Sequence, residues 1–403
     1  MSLKNMELKK LIDLVDVFNN QRVPLSSKER QDLEKVYPYY GAQGVVDYVD
    51  NYIFDGKYIL VAEDGENLKS NNKPICTLTT GRFWVNNHAH ILRGNSYNNT
   101  DYLFYKLNST NLTPYVTGSA QPKLNKKNLL SVELYVHSKQ DQDKIAKVLS
   151  TIDNKIKTNQ LVSNTLESMA KTLYDYWFVQ FDFPDENGKP YKSSGGKMFY
   201  NEMLKREIPE GWGVSNLGAL SLDIVTGKTP SRKQQDNFDG EIPFITIGDI
   251  RGNTFITTTK ETLSEKGAQT QKSKFINAGS LCVSCIATVG LVGFTTEIAQ
   301  TNQQINSIEF NNEIDYIKFY IYFNLKMYFE NTSTKVGNTF DNMNKEEFAG
   351  IQVILPNELM LRKYHEIVNH FFDRIQLNAL ANLNLQLQKE SILPLLFNGQ
   401  IYL

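Results

Sequence analysis

Residues 139–178 read KQDQDKIAKVLSTIDNKIKTNQLVSNTLESMAKTLYDYWF, and this stretch decides the fold. It contains neither glycine nor proline, and an apolar or amide residue recurs at every seventh position. The recurring residues are Ile145, Ile152, Asn159, Leu166 and Leu173. Three positions after them come Val148, Val162, Met169 and Tyr176, with Lys155 as the exception. A seven-residue period over about five repeats predicts a long helix that packs against a partner helix.

A second copy of this pattern lies 219 residues further along the chain. Identical residues coincide at this offset without any gap over about 60 residues, and apolar residue classes coincide between them. Coinciding pairs include Gly118 and Gly337, Asn125 and Asn344, Lys126 and Lys345, Ile156 and Ile375, Leu166 and Leu385, and Phe178 and Phe397. The chain is therefore predicted to be built twice, because a constant offset of this length is hard to obtain by chance.

Asn159 and Asn378 occupy the same position of the period in the two copies. A single polar residue in a helix seam typically fixes the register at a cost in stability. Two at equivalent positions predict that the helices pair with each other about a pseudo-two-fold axis. The alternative is that both amides are merely tolerated near a surface. Each helix would be about 60 Å long, with breaks expected at Pro356 and Pro394.

The parts of the chain before each helix are rich in glycine, asparagine, threonine, tyrosine and β-branched residues, with short alternating runs at 45–49 and 244–250. These features predict two small, mostly β domains. The predicted fold class is therefore α+β, with two mostly β domains joined by two long antiparallel helices that form a coiled coil. The predicted segments are 1–137, 138–180, 181–212, 213–356 and 357–403.

The segment 181–212 reads FDFPDENGKPYKSSGGKMFYNEMLKREIPEGW. Its proline, glycine and serine residues predict a loop or linker between the two halves. It also carries a local basic cluster, composed of Lys189, Lys192, Lys197, Lys205 and Arg206. Solvated linker charge and contact with phosphate groups both remain open for this cluster.

The composition is that of a folded chain without an obvious charge signature. Among 403 residues, 43 are basic and 44 acidic, so the net charge of −1 does not indicate a nucleic-acid partner. Residues 1–140 carry 17 basic and 14 acidic side chains, whereas residues 207–356 carry 12 and 17. If the second β domain binds nucleic acid, it must therefore concentrate its positive charge in loops such as 228–233 or rely on a partner to hold the backbone.

The longest apolar run, 280–294, is shorter than the ~20 residues that span a bilayer and is predicted to be a buried strand pair. We expect no membrane association and a cytoplasmic location. Cys282 and Cys285 form a lone CxxC pair. A zinc site would need two more ligands at comparable spacing, so buried strand cysteines are the favoured interpretation.

Catalytic motifs are missing from the sequence. A methyltransferase that acts on DNA bases would need a Pro-Pro-aromatic motif, and the sequence has no Pro-Pro dipeptide. The string Gly227-Lys228-Thr229 lacks the earlier glycine of a nucleotide-binding loop, since Leu222 stands there. There is no Gly-x-Ser-x-Gly elbow, and the histidines are scattered. We expect a protein that is not itself an enzyme.

The order of these features resembles the specificity subunit of type I restriction-modification enzymes. The strings that carry the resemblance are residues 166–183, GKPY at 188–191, SSGGK at 193–197, IPEGW at 208–212, TGKTPS at 226–231, TNQQIN at 301–306 and the closing residues 393–399. The resemblance implies that each β domain is a target-recognition domain that reads one half of a bipartite site in double-stranded DNA. It also implies that the helices set the spacing between the halves.

The resemblance further implies two methyltransferase subunits docked on the helices, and restriction subunits that translocate DNA. S-adenosylmethionine, Mg and ATP are expected on those partners, and no cofactor or metal on this chain. A non-catalytic adaptor, with two β-rich domains that bind protein or glycan on a coiled-coil spacer, is the alternative.

Base edges are read mainly by arginine, lysine, asparagine, glutamine and histidine on loops, and phosphates mainly by lysine and arginine. Candidates in the first domain are Lys69, Lys73, Arg82, Trp84, Asn86, Asn87 and His88. Candidates in the second are Lys228, Thr229, Ser231, Arg232, Lys233, Arg251, Lys272, Lys274, Asn302, Gln303 and Gln304. For each of the last three amides, capping a turn within the fold is an equally plausible role.

Overall fold

The computed structural model describes residues 6–65, 68, 74–118, 121–220, 222–335 and 342–401. The chain forms two compact units. The first comprises Met1–Lys155 and Leu385–Leu403, and the second comprises Ile156–Asn384. Both ends of the chain therefore belong to the first unit.

The first unit contains a six-stranded sheet and a separate strand pair. Its strands are β1 (Met6–Lys10), β2 (Val15–Val17), β3 (Tyr37–Gly41), β4 (Gly44–Val49), β5 (Phe54–Ala62), β6 (Cys76–Val85), β7 (Ala89–Gly94) and β8 (Glu133–His137). The helices that begin in it are α1 (Ser27–Gln31), α2 (Thr100–Asn108), α3 (Lys126–Leu130) and the long α4 (Lys139–Tyr174). The sheet order is β2-β7-β5-β6-β3-β4, and β1 pairs with β8. Only the β3–β6 pairing is parallel in this described sheet.

The second unit contains two larger sheets and two strand pairs. Its strands are β9 (Met198–Asn201), β10 (Arg206–Pro209), β11 (Gly213–Asn216), β12 (Asp223–Thr226), β13 (Phe238–Ile245), β14 (Phe255–Ile256), β15 (Glu261–Leu263), β16 (Phe275–Ile276), β17 (Leu281–Ser284), β18 (Val292–Thr295), β19 (Ala299–Thr301), β20 (Ile305–Glu309) and β21 (Gln352–Leu355). Its helices are α5 (Ile247–Ile250), α6 (Glu265–Gln269), α7 (Lys318–Lys335), α8 (Lys345–Ala349) and the long α9 (Glu358–Phe397), whose end lies in the first unit. The sheet orders are β12-β20-β17-β18-β14 and β15-β13-β19-β16.

The internal repeat is confirmed element by element. Helices α3 and α8, strands β8 and β21, and helices α4 and α9 all begin 219 residues apart. The side chains of Asn125 and Asn344 cap α3 and α8 identically, each accepting a backbone hydrogen bond of 2.9 Å. Such caps satisfy amide groups that the first helical turn leaves without partners.

The repeat extends to the first strand of each copy at a different offset. Strand β1 pairs with β8 as β11 pairs with β21. Just after these strands, the amide of Leu11 donates to Val132 O at 2.8 Å, and the amide of Leu217 donates to Ile351 O at 3.1 Å. The offset here is 206 residues rather than 219, so the second copy has the longer β domain.

The two long helices pair in antiparallel fashion through their amides, as the sequence predicted. Asn159 Nδ2 donates to Asn382 Oδ1 at 2.8 Å, and Asn378 Nδ2 donates to Ser163 Oγ at 3.2 Å. The 219-residue offset relates Asn159 to Asn378 and Ser163 to Asn382, so the two bonds are equivalent under the repeat. Both central asparagines are 4% exposed, which excludes the surface alternative.

The prediction of the second series of seam residues was wrong by one position. Val162, Met169 and Tyr176, three residues after the first series, are exposed. The buried positions are four residues after it, at Leu149, Ser163, Ala170 and Trp177. Steps of three and four both fit a seven-residue period, and apolar side chains stand on both faces of this helix. Only contact with the other helix decides which face is buried.

The expected break at Pro394 does not occur, because α9 continues to Phe397. Leu396 and Phe397 are buried in the core of the first unit, and the Phe397 ring lies 5.5 Å from the Tyr102 ring. These contacts stabilise the last turn although proline removes one backbone donor there. The other helix ends in a π-helical turn over Asp175–Val179.

The segment 181–212 is more ordered than the expected loop or linker. It contains the hairpin β9–β10, and Phe181, Phe183, Ile208 and Trp212 are buried in the core of the second unit. The rings of Phe183 and Trp212 stack at 5.0 Å. Glycine and serine mark the turns correctly, but the aromatic residues require a core. Of its basic cluster, Arg206 lies 4.9 Å above the Phe181 ring.

The apolar run at 280–294 forms the predicted antiparallel strand pair, β17–β18. Cys282 lies in β17, and Cys285 follows its last residue; both thiols are buried. Burial raises the pKa of the Cys285 thiol to about 11. Across the described ranges, no group of three metal-ligating side chains is found. No helix in them is long and apolar enough to cross a membrane.

The Asn159–Asn382 bond generates a stability prediction. Asn159→Leu leaves the Asn382 carbonyl oxygen without its donor and should lower the free energy of unfolding by about 1–3 kcal/mol. Adding Asn382→Leu removes both partners and should recover most of that loss. Denaturant unfolding of the wild type, both single variants and the double variant measures the coupling. Additive effects of the two substitutions would show that the bond does not contribute.

Candidate nucleic-acid interface

Strand registers gather several loops at one end of the five-stranded sheet in the second unit. Thr226, the last residue of β12, pairs with Asn306, and Ser284, the last residue of β17, pairs with Ile305. The loop that follows β12, the loop between β17 and β18, and the turn that precedes β20 therefore lie together. Candidates far apart in the sequence are brought to one surface.

The four-stranded sheet contributes to the same end. Strand β19 ends at Thr301 and is joined to β20 by the turn Asn302–Gln303–Gln304. Strand β13 ends beside β19, while β15 and β16 begin there. The residues next to these strand ends include Lys260, Lys272 and Lys274. Lys260, which is exposed, was missed by the sequence analysis because nothing local distinguishes it from other surface lysines.

The strings TGKTPS and TNQQIN meet at the centre of this surface. The Lys228 amide donates to Thr301 O at 2.9 Å, and Thr229 Oγ1 donates to Gln303 Oε1 at 2.7 Å. A Cβ at Gly227 would lie 2.2 Å from Asn302 O, so only glycine permits this approach. The side-chain amide of Gln303 is therefore held through its oxygen, and its NH₂ group is exposed and bonds to none of the described residues.

The two other amides of the turn bond within it. Asn302 Oδ1 accepts from the backbone amide of Gln304 at 3.0 Å, and Asn302 Nδ2 donates to the side-chain oxygen Oε1 of Gln304 at 3.0 Å. Asn302 is also largely buried. Of the three candidate amides, Gln303 is thus the one presented to solvent, while Asn302 shapes the turn.

The remaining candidates of the second unit differ in how firmly they are held. Arg232 forms an ion pair with Glu261 at 2.8 Å, and Arg251 donates to Thr288 Oγ1 at 3.3 Å. Ser231 is exposed, and its carbonyl accepts from Asn237. In the described part of the chain, Lys228, Lys233 and Lys272 are exposed and have no side-chain partner.

In the first unit, the turn between β6 and β7 carries Asn86, Asn87 and His88. Asn86 Oδ1 accepts from the His88 amide at 2.8 Å, which is the same side-chain turn that Asn302 makes before β20. His88 Nδ1 bonds Asp64 Oδ2 at 2.7 Å. The two units therefore present similarly built turns at the start of corresponding strands.

Two further candidates of the first unit, Arg82 and Trp84, lie in β6. Trp84 Nε1 donates to Val23 O at 2.6 Å, so its polar edge is already occupied. Arg82 donates to Asp55 Oδ2 at 3.2 Å and lies 4.8 Å above the Tyr52 ring. Lys69 and Lys73 lie outside the described residues.

Arg22 and Lys123 also lie near the turn 86–88, and the sequence did not single them out. Arg22 contacts the carboxylate of Glu63 at 3.0 Å, and Lys123 contacts it at 3.3 Å. Both cations come from segments remote in sequence, so only the fold reveals them. The pKa of Glu63 lies below its usual value because the bonds from these cations outweigh its burial.

The buried side chain of His90 links two segments beneath this turn through hydrogen bonds. Its Nε2 donates to Leu124 O at 2.7 Å, which leaves Nδ1 to accept from Asn19 Nδ2 at 2.8 Å. The imidazole is 1% exposed, and burial lowers its pKa below the usual 6.5. The neutral form is required, because a protonated Nδ1 could not accept from the Asn19 amide.

The geometry at His90 predicts a pH dependence of stability. Its pKa is lower in the folded than in the unfolded chain, so its contribution is complete above pH ~6.5 and is lost as the pH falls below that value. The free energy of unfolding should therefore fall between pH 7.5 and 5.5. His90→Gln, which preserves one donor and one acceptor, should reduce this slope in denaturant titrations. His370→Gln, at an exposed position of α9, serves as the control and should leave the slope unchanged; equal slopes in all three proteins would contradict the assignment.

Comparison with known proteins shows which family has this architecture. The model of the family described as the type I restriction modification DNA specificity domain matches residues 3–168 and 209–388. Its two matches begin 206 residues apart, the offset that relates Leu11 to Leu217 just after β1 and β11. The family model thus matches the same duplicated unit that the helices and strands define.

Individual proteins agree over most of the chain. The HindI type I restriction enzyme specificity subunit of Haemophilus influenzae is 28% identical, with 97% of this chain and 94% of that protein covered. The MjaIX specificity subunit of Methanocaldococcus jannaschii is 26% identical over 75% of this chain and 69% of that protein. The crystal structure of a type I restriction-modification S subunit from M. genitalium superposes with a TM-score of 0.63 at 15% identity, covering 98% of this chain and 96% of that one. That structural similarity establishes the shared fold.

Proposed function

Because this chain belongs to the family of type I restriction-modification DNA specificity domains, we propose that its two recognition turns each read one half of a bipartite DNA site. The chain is the sequence-recognition subunit of such an enzyme. The observation that supports a division into two readings is the duplicated turn. Asn86 and Asn302 each accept from the backbone amide two residues further on, so the two turns are built alike. The exposed candidate side chain is His88, two residues after Asn86, in one unit and Gln303, one residue after Asn302, in the other. Loop side chains of this kind read base edges in the major groove.

The exposed lysines near the turn 302–304 are suited to phosphate contact. Lys228, Lys233 and Lys272 have no acidic partner in the described structure. Lys228 adjoins Thr229, which bonds Gln303, and Lys272 precedes β16 at the same end of the sheet. Phosphate contacts fix the register of a protein on the duplex, whereas base contacts specify the sequence. In this proposal, Gln303 specifies the base, and the lysines position the protein on the duplex. Arg232 is less available because Glu261 already neutralises it.

The paired helices are proposed to set the distance between the two half-sites. Their register is fixed by the buried amides, and DNA rises about 3.4 Å for each base pair, so a fixed helix length corresponds to a fixed gap. This role follows from family membership together with the antiparallel pairing.

Methyltransferase subunits are the proposed partners of the helices, and restriction subunits complete the enzyme. Val162, Met169 and Tyr176 form an exposed apolar stripe on α4, and such a stripe is suited to a protein partner. S-adenosylmethionine, Mg and ATP would be bound by those partners, and this chain would supply no catalytic group. The complex would act on DNA in the cytoplasm. The adaptor alternative is not favoured, since the matched family is defined by DNA specificity.

Contacts with bases and with phosphates should be separable in the second unit. Gln303→Ala should relax selectivity at one position of one half-site by about 1–3 kcal/mol. Lys228→Ala should instead weaken binding of all sequences about equally and reduce the salt slope by about one. Titration of the methyltransferase complex with matched and mismatched duplexes measures both effects.

Lys266→Ala is the matched control, because this exposed lysine follows the opposite end of β15. It should change neither selectivity nor salt slope. If Gln303→Ala weakened all sequences equally, the turn would have no role in reading bases.

The spacing role can be tested by lengthening both helices. Insertion of seven residues into α4 and into α9 at positions related by the repeat preserves the seam phase and adds about 10 Å. The accepted gap between half-sites should lengthen by about one to three base pairs, while both half-sites stay the same. Mapping of methylated sequences with the complete complex reports this. A changed half-site with an unchanged gap would contradict the spacing role.

A further inference from the structure

The turn that carries His88 is clamped by Arg22. One guanidinium nitrogen of Arg22 donates to Asn87 O at 3.1 Å and to Ala89 O at 3.0 Å, the carbonyls on either side of His88. The same nitrogen contacts the Glu63 carboxylate at 3.0 Å. The Arg22 side chain is mostly buried, with 18% of its surface exposed. A charged donor held in this way fixes the path of the turn.

The backbone of His88 is itself fully bonded. Its amide donates to Asn86 Oδ1 at 2.8 Å, and its carbonyl accepts from the Glu63 amide at 2.9 Å. The main chain of His88 therefore has nothing left to offer a ligand. Its side chain, which is 52% exposed, is the group that the turn presents to solvent.

Asp64 fixes the proton of the His88 ring. Nδ1 lies 2.7 Å from Asp64 Oδ2, and an ionised carboxylate can only accept. Nδ1 must therefore carry the hydrogen. In a neutral imidazole, Nε2 is then an acceptor. Within the described structure Nε2 has no partner, so an acceptor of defined position points outward from the turn.

An outward acceptor selects among bases by simple complementarity. In the major groove, adenine and cytosine offer exocyclic amino donors, whereas guanine and thymine offer acceptors at O6, N7 and O4. We propose that His88, oriented by Asp64, selects a base with an exocyclic amino group, adenine or cytosine, in the half-site read by the first unit. This inference rests on the proposed function and adds the chemical class of the base.

Asp64→Asn tests the inference without removing the histidine. The asparagine amide can donate to Nδ1 or accept from it, so both ring tautomers become accessible. At one base pair of the first half-site, preference for an amino base should fall about tenfold, with guanine or thymine gaining. His88→Ala should lose selectivity at the same base pair. Asp50→Asn, an exposed substitution in the same unit, is the matched control.

The measurement is methylation by the assembled complex on duplexes in which each half-site is randomised. It is made at alkaline pH, which favours the neutral imidazole that the inference requires. The inference is supported if both variants alter one and the same base pair, if the wild type requires adenine or cytosine there, and if the second half-site is unchanged. The sequenced products also show which of the two amino bases is selected.

Three results would overturn the role of His88: no altered position, a wild-type requirement for guanine or thymine at the altered position, or equal loss of methylation on all sequences. These are distinct from failure of the proposed function. A wild-type complex without selectivity in either half-site would overturn the proposed function itself. A selective wild type with an unchanged Asp64→Asn profile would overturn the His88 assignment alone.

Discussion

The architecture depends on two buried amides, Asn159 and Asn378, which the internal repeat superposes and which bond across the helix pair. An amide in a helix seam costs stability unless it is bonded, so it favours one register over all slipped ones. Both bonds are equivalent under the repeat, which means that the same device is used twice.

Around that register, the two β domains differ, whereas the turns proposed to read DNA are built alike. They differ in sheet order and length, yet each begins with a strand that pairs beside the helix start, and each turns through an asparagine before a central strand. The structural turn residues, Asn86 and Asn302, are kept apart from the presented residues, His88 and Gln303. Such separation lets the presented side chain vary without refolding the turn.

Sequence reasoning was sufficient for the repeat, the helix pairing and the β17–β18 strand pair, because each rests on local periodicity or on a constant offset. It failed where contacts between distant segments decide. The buried face of α4, the packed aromatic residues of 181–212 and the clamp formed by Arg22 all depend on partners far away in sequence. Lys260 is a surface lysine until strand register places it at the same end of the four-stranded sheet as Lys274. The candidate residues stay predictions, although the structure gathers many of them at strand ends.

The near-zero net charge fits a chain that selects a sequence and leaves much of the grip on DNA to partners. We propose above all that two separate turns read two separate half-sites. Chemical methylation interference on duplex DNA bound by the complete complex tests this most directly. Two short clusters of bases whose modification blocks binding are expected, separated by a stretch in which modification has no effect. One continuous block of sensitive bases, or none, would contradict it.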